Sequence, residues 1–231
     1  MIPVENSIAG SVSRNYDFFL NKPVTAVNEV YAPIRHCLLA KRGVILSDIE
    51  TVLSHPMALK QCEVFLKDLN VKTVPEYDTA GAAKMVAEAG EPTHAAIASA
   101  LAGKIYNLDI LAEDIQTMDT NMTRFLVIAT KEPDDLRREK TSIAFKTEHH
   151  PGALEECLHK LTRNKINLTK IQSRPIPENP WEYVFYADFE GGTDQPNVRK
   201  AMQELESEAK FLKVLGSYPI GEKGESATRK P

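Results

Sequence analysis

Between residues 141 and 217 the apolar positions change period in the order strand, helix, strand, strand, helix, strand, and nothing else in the chain restricts its fold as much. Thr141 to Thr147 reads as a strand with Ile143 and Phe145 on one face. Pro151-Gly152 opens a helix whose Leu154, Cys157, Leu158 and Leu161 form one stripe. Asn167 to Arg174 reads as a second strand. Trp181, Tyr183, Phe185, Ala187 and Phe189 alternate through a third. Gln195 to Ala209 is a helix with Val198, Ala201, Met202 and Leu205 turned inward, and Phe211 to Ser217 is the last strand. That order is the α+β ferredoxin-like pattern: four antiparallel strands with two helices on one face.

A charged linker carrying Pro133 precedes this unit, so the domain boundary falls at 132–140, with residues 1–131 as one region and 141–220 as another. The first region alternates short strands with helices, the α/β signature, in which ligands gather at strand ends and helix N-termini. Ile2-Pro3-Val4 reads as the end of a strand. Asn6 or Ser7 then caps a helix to about Phe19, and Thr25 to Ala40 alternates in the strand sense. Leu59, Cys62, Phe65, Leu66 and Leu69 lie on one face of a helix from Pro56 to Leu69. Strands follow at Val71–Val74, Ala95–Ala98, Ile110–Ala112 and Met122–Thr130. Helices fall at Thr79–Ala89 and Ser99–Tyr106. The tail from 221 to 231 is polar and reads as disordered.

Composition narrows the function classes. The 231 residues are 42% hydrophobic and 26% charged, with a formal net charge of -4, so no global basic field exists for nucleic acid or an anionic membrane. No apolar stretch approaches the roughly 20 residues that span a bilayer. The first residues lack the basic and apolar blocks of a signal peptide. The three cysteines, Cys37, Cys62 and Cys157, are far apart, and no Cys/His cluster has metal spacing; they read as buried thiols. These features favour a cytoplasmic protein and offer no metal-binding motif.

Six short motifs carry a resemblance. Pro3-Val4-Glu5-Asn6-Ser7, Ser54-His55-Pro56 with Gln61-Cys62, Asp78-Thr79-Ala80-Gly81-Ala82-Ala83, and Asn121-Met122-Thr123-Arg124-Phe125 follow one another in the first region. Pro151-Gly152-Ala153-Leu154 and Gln172-Ser173-Arg174-Pro175 follow in the second. In this order they resemble prephenate dehydratases with a C-terminal ACT regulatory domain. The resemblance implies a two-lobed, periplasmic-binding-protein-like α/β catalytic region followed by a ferredoxin-like ACT domain. It also implies a lyase reaction in phenylalanine biosynthesis that needs no metal or cofactor: prephenate loses carbon dioxide and hydroxide to become phenylpyruvate. By position in the motifs, Thr123 is the catalytic candidate. Asn6, Ser7, Ser54, Gln61, Thr79, Arg124 and Phe125 are the substrate-binding candidates. Without the resemblance, Asn6, Ser7 and Ser54 read as helix caps, Thr123 as a strand former and Arg124 as half of a salt bridge.

For the ACT domain the resemblance implies phenylalanine as feedback effector, held between neighbouring subunits of a homodimer or homotetramer. Gly152, Ala153, Leu154, Asn167, Leu168, Gln172, Ser173, Arg174 and Pro175 are the effector candidates. Gln172 departs from the family pattern, which has Glu there. A second departure is at the front. The family carries a glycine-rich G-x-x-G-T-(F/Y)-S segment ahead of P-x-E-N-S, whereas this chain begins at Met1-Ile2-Pro3, so the first lobe reads as incomplete. Two alternatives stand beside prephenate dehydratase: arogenate dehydratase, and a catalytically incomplete amino-acid-binding regulatory protein.

Overall fold

The computed structural model describes residues 1–176 and 179–222. In chain order the elements begin with β1 (Ile2–Asn6), β2 (Gly10–Ser11), α1 (Ser13–Asn21), β3 (Thr25–Pro33) and β4 (Cys37–Ala40). There follow β5 (Thr51–Ser54), α2 (Pro56–Gln61), α3 (Glu63–Leu69), β6 (Lys72–Pro75), α4 (Thr79–Ala89), β7 (His94–Ala98), α5 (Ala100–Tyr106) and β8 (Asp109–Ala112). The last set is β9 (Met122–Ala129), β10 (Lys140–Lys146), α6 (Ala153–Arg163), β11 (Leu168–Ile176), β12 (Asn179–Glu190), α7 (Pro196–Glu208) and β13 (Phe211–Tyr218).

These elements form two compact units. The first takes Met1–Asn6, Gly10–Ala32 and the described residues from Thr123 onward; the second takes Ser7–Ala9 and Pro33–Met122.

The first unit is built on an eight-stranded sheet in the order β11-β12-β10-β13-β3-β9-β1-β2. Its four strands β11, β12, β10 and β13 are mutually antiparallel and, with α6 and α7, follow one another as βαββαβ. The side-chain period of two puts Ile143, Phe145, Ala187 and Phe189 on one face, where they pack with Cys157, Leu161, Val198, Ala201 and Leu205 of the helices. The alternate residues Ala144, Val184 and Tyr186 pack with Val4, Tyr16, Phe19, Leu126, Leu215 and Tyr218. Strands β10 and β12 are therefore covered on both faces. Gly216 of β13 pairs in parallel with Ala26 of β3 and extends the sheet.

The second unit has a five-stranded sheet, β6-β5-β7-β4-β8. Here β5 runs parallel to β6 and β7, while β4 runs antiparallel to β7 and β8. Strand β4 reads Cys-Leu-Leu-Ala and is buried throughout, because helices cover both sides. Cys37 and Leu39 join the cluster with α4 and α5; Leu38 and Ala40 join that with Ala58, Cys62 and Leu66. Asp78 caps α4 by accepting from Gly81 N at 2.6 Å, and Gly90 closes it in the left-handed region.

Several sequence expectations need correction. No helix starts at Asn6 or Ser7: β1 pairs with β2, and α1 begins at Ser13. The stretch from Thr25 to Ala40 is two strands in different sheets, because Pro33 ends β3. The helix from Pro56 to Leu69 breaks at Cys62 into α2 and α3, although Ala58, Cys62 and Leu66 keep one buried stripe. Trp181 does not share the inward face of Phe185, Ala187 and Phe189; it is 79% exposed, at φ 74°. The polar tail expected from 221 lies, beyond residue 222, outside the described residues.

Candidate active site

Thr123 sits near the start of β9, 9% exposed, and its register partner on β1 is Asn6. The Asn6 amide Nδ2 donates to Thr123 Oγ1 at 3.0 Å. Because the oxygen accepts from Asn6, the threonine O–H is left to donate to a third group. Two residues that the sequence names separately thus form one hydrogen-bonded pair on adjacent strands. Phe125, two positions on, is half-buried and pairs with Pro3.

Arg124 points to the other side of β9 and is 4% exposed. Its Nε donates to Glu29 at 2.7 Å, one terminal nitrogen to Asp188 at 2.5 Å, and the other to the Tyr218 hydroxyl at 2.9 Å. Ser142 donates to Asp188 at 2.5 Å, so its oxygen must accept from Tyr218 O–H, also at 2.5 Å. The result is a closed circuit: Arg124 to Tyr218, Tyr218 to Ser142, Ser142 to Asp188, and Arg124 again to Asp188. Lys140 Nζ joins through Glu29 at 2.9 Å, and Lys170 lies 3.5 Å from Glu5. Burial opposes the Arg124 charge, but Asp188, Tyr218 and Glu29 outweigh it and push its pKa up. Burial pushes the Tyr218 hydroxyl up as well, with Asp188 adding to it, so it stays a neutral donor. The guanidinium is committed to this network, which fixes the strand that carries Thr123.

In the second unit, Ser7 Oγ donates to Thr120 O at 3.0 Å and accepts from Met122 N at 2.9 Å. Ser54 is fully buried and donates to Ile97 O at 2.6 Å. The cap of α2 is His55, whose Nδ1 accepts from Met57 N. Thr79 is half-buried at the first turn of α4. Gln61 ends α2 and lines a pocket of about 350 Å3 with Ile8, Ala9, Met57, Lys60, Glu63, Gln116, Thr117, Met118 and Asn121. Behind Gln61 stands His36, buried, with Nε2 at 2.9 Å from Gln61 Oε1. Sequence reasoning passed over His36 and Gln116; the one local signal was a histidine placed directly before the apolar Cys37-Leu38-Leu39 run. Asn6, Thr123, Arg124 and Phe125 belong to the first unit, and Ser7, Ser54, Gln61 and Thr79 to the second.

Of the effector candidates, Gly152, Ala153 and Leu154 line a larger pocket of about 1040 Å3 with His149, His150, Trp181, Tyr183 and Phe185. Gly152 lies at φ 91°, a left-handed conformation that favours glycine, directly before α6. The remaining candidates sit elsewhere on or beside β11, the outer strand of its sheet. Asn167 donates to Glu190 at 3.1 Å, and Arg174 pairs with Asp17 at 2.6 Å. Leu168, Gln172, Ser173 and Pro175 pair along β12 with Phe189, Tyr186, Phe185 and Tyr183.

Among the described residues no helix is long and apolar enough to cross a membrane. Likewise, among those residues no group of three or more His, Cys, Asp or Glu is arranged to hold a metal.

A family model described as prephenate dehydratase matches residues 1–133. The chloroplastic arogenate dehydratase/prephenate dehydratase 2 of Arabidopsis thaliana is 45% identical over 231 residues, covering 95% of this chain and 61% of the relative. The chain spans 60–61% of the length of the first curated relatives it matches. A solved prephenate dehydratase from Arthrobacter aurescens in complex with L-Phe is 32% identical, with a TM-score of 0.84, over 94% of this chain and 73% of that one. A structure described as a novel type of quorum quenching acylase is also 32% identical, with a TM-score of 0.86, over 95% of this chain and 81% of that one. The match to the family model takes in more than half of the chain, with the Asn6–Thr123 pair, Ser54 and Gln61, and it shows that the chain belongs to the prephenate dehydratase family.

Proposed function

We propose that the protein carries out the coupled decarboxylation and dehydration of prephenate to phenylpyruvate, the chemistry of EC 4.2.1.51. The observation that carries this reading is the Asn6–Thr123 hydrogen bond, which aims the threonine hydroxyl as a donor. Electrons released as carbon dioxide departs run through the ring diene and expel the hydroxyl. That hydroxyl leaves with growing negative charge, and a hydrogen bond from Thr123 stabilises it more in the transition state than in the ground state. Threonine is a weak acid, so the hydrogen bond comes first and proton delivery second. Gln61 supplies a neutral donor for a substrate carboxylate. Ser7 and Ser54 bond to main-chain oxygens of their own unit, and Arg124 bonds to Glu29, Asp188 and Tyr218, so all three support their own strands rather than meet the substrate.

Turnover is followed by the absorbance of phenylpyruvate. Thr123→Ala is expected to lower kcat by about 10²–10³, the usual effect of removing one such donor. Asn6→Ala should lower it less, because the hydroxyl remains but loses its orientation. Wild-type-like turnover in Thr123→Ala would remove the residue from the chemistry. The similarity to enzymes named for both substrates supports arogenate as an alternative substrate, and rates on the two, measured side by side, decide it.

The βαββαβ unit is, in the same proposal, a ferredoxin-like ACT domain that binds phenylalanine. Main-chain N–H groups after Gly152 suit the carboxylate, and Trp181, Tyr183 and Phe185 suit the ring. Feedback would then be a coupling between sites in a homodimer or homotetramer of a cytoplasmic protein. Calorimetry with phenylalanine tests the binding, and sedimentation with and without it tests the assembly. Binding of phenylalanine without turnover would favour an amino-acid-binding regulatory protein instead.

A further inference from the structure

We propose that His36 is a positioning residue: it holds the Gln61 carboxamide so that the NH2 group faces the pocket and donates to a carboxylate oxygen of the substrate. The inference rests on the dehydratase reading for the identity of that ligand, and on geometry within the second unit for everything else.

His36 stands immediately before β4, 6% exposed, and is not part of the pocket wall. Its Nε2 lies 2.9 Å from Gln61 Oε1. A carboxamide oxygen only accepts, so this contact is a hydrogen bond when Nε2 carries the proton. Burial holds the His36 pKa below the usual imidazole value, partly offset by the bond to Gln61, so near neutral pH the ring has one proton to place. With that proton on Nε2 and the oxygen turned toward His36, the NH2 group occupies the opposite branch of the amide. Gln61 is half-buried at the pocket wall, and the opposite branch is the one left for the cavity.

The main chain around the pair is stitched from three sides. His36 N donates to Gln116 Oε1 at 2.9 Å, Ile115 N donates to His36 O at 3.0 Å, and Thr117 N donates to Gln61 O at 2.8 Å. Gln116 and Thr117 are themselves pocket residues. The histidine, the end of α2 and the 115–117 segment are thereby tied together, and a proton on His36 Nε2 holds the amide oxygen toward the ring. Lys60 lines the same pocket and adds a cation, with Glu63 the acidic residue there. An amide N–H beside an ammonium suits an anionic oxygen. A fixed amide has no rotamer freedom left to lose on binding, which is how a residue that never touches the ligand contributes to affinity.

The test has two readouts on the 231-residue chain. Long-range 15N–1H NMR of the imidazoles reports the tautomer; a proton on Nε2 of His36 is expected, and a proton on Nδ1 would overturn the proposal. Prephenate binding is then followed through the Gln61 side-chain NH2 resonances. His36→Phe keeps the ring volume and removes the donor; the Kd for prephenate should weaken by at least about tenfold. His36→Gln returns an N–H at the same reach and should bring the Kd back within about threefold of wild type. A merely structural histidine would not be rescued in this selective way. A Kd in His36→Phe within about twofold of wild type overturns the role of His36, as does a wild-type chain that binds no prephenate. Binding of prephenate with no turnover would sink the dehydratase reading alone, since the tautomer and the Kd values still decide for or against His36.

Discussion

At the scale of single residues, the molecule separates groups that are tied up from groups left to act. Arg124 and Asp188 belong to the first kind. Each is hydrogen-bonded inside a buried circuit, with Glu29, Ser142 and Tyr218 completing it. Removing one charge from such a set leaves its partner unpaired in a poorly solvated place. Asp188→Asn is therefore expected to destabilise the folded protein by about 3–5 kcal/mol, measured by urea unfolding at constant m. A loss below about 1 kcal/mol would mean that water reaches the circuit and screens it. His36 gives a second residue-scale outcome, with its sign set by burial. Its folded pKa lies below the unfolded value of 6.5, so the unfolded chain binds the extra proton first. The stability that comes from keeping this ring neutral is present above about pH 6.5 and is lost as pH falls from there toward the folded pKa. Thermal unfolding from pH 7.5 down to 5 should show this slope in the wild type and a shallower one in His36→Gln. Parallel curves for the two proteins would exclude His36 as the titrating group.

At the scale of elements, the contact between β13 and β3 is a close joint in the first unit. A Cβ on Gly216 would strike the Ala26 carbonyl oxygen and come within 2.6 Å of its Cβ, so the strands meet at this spacing only because residue 216 is glycine. Gly216→Ala is expected to cost about 1–3 kcal/mol or more, as overpacking does when the obstacle is backbone. Differential calorimetry measures the loss, and an unchanged midpoint would mean that the strands part freely there.

The same joint shows where sequence reading stops. Strands β10 to β13 and helices α6 and α7 were legible because each carries its own period and its partners lie nearby in the chain. The pairings of β1 with β9 and of β13 with β3 were not legible, because they join residues more than a hundred positions apart and no local period encodes them. The expected cap at Ser7 failed for that reason: its hydroxyl bonds to Thr120 O and Met122 N rather than to its own neighbours. At the candidate site, Asn6 and Thr123 were visible as separate motifs, but their hydrogen bond was not. His36 was invisible, since its meaning depends on Gln61 and Gln116 arriving from other elements.

At the scale of the whole molecule, two units with separate cores should each protect their own thiols. Cys37, Cys62 and Cys157 are between 0% and 4% exposed. Burial pushes all three thiols up, Cys62 to about 12 and Cys157 to about 11, so little thiolate exists near neutrality to attack a reagent. A disulfide reagent at pH 8 should label the native protein only as fast as it opens. Cys37 and Cys62 lie in the clusters on opposite faces of one sheet, with Leu39 and Leu38 of the same strand β4 in those two clusters. A strand cannot lose one face and keep the other in register, so pulsed labelling through a urea series should expose both thiols at a common concentration. Cys157 reports the α6–α7 face of the other unit, and its midpoint is free to differ. Peptide mapping after each pulse gives the three midpoints. If Cys62 is labelled well before Cys37, α2 and α3 peel from the sheet on their own. The segment that ends in Gln61 would then open before the strand that follows His36, and the binding pocket would come apart before the fold does.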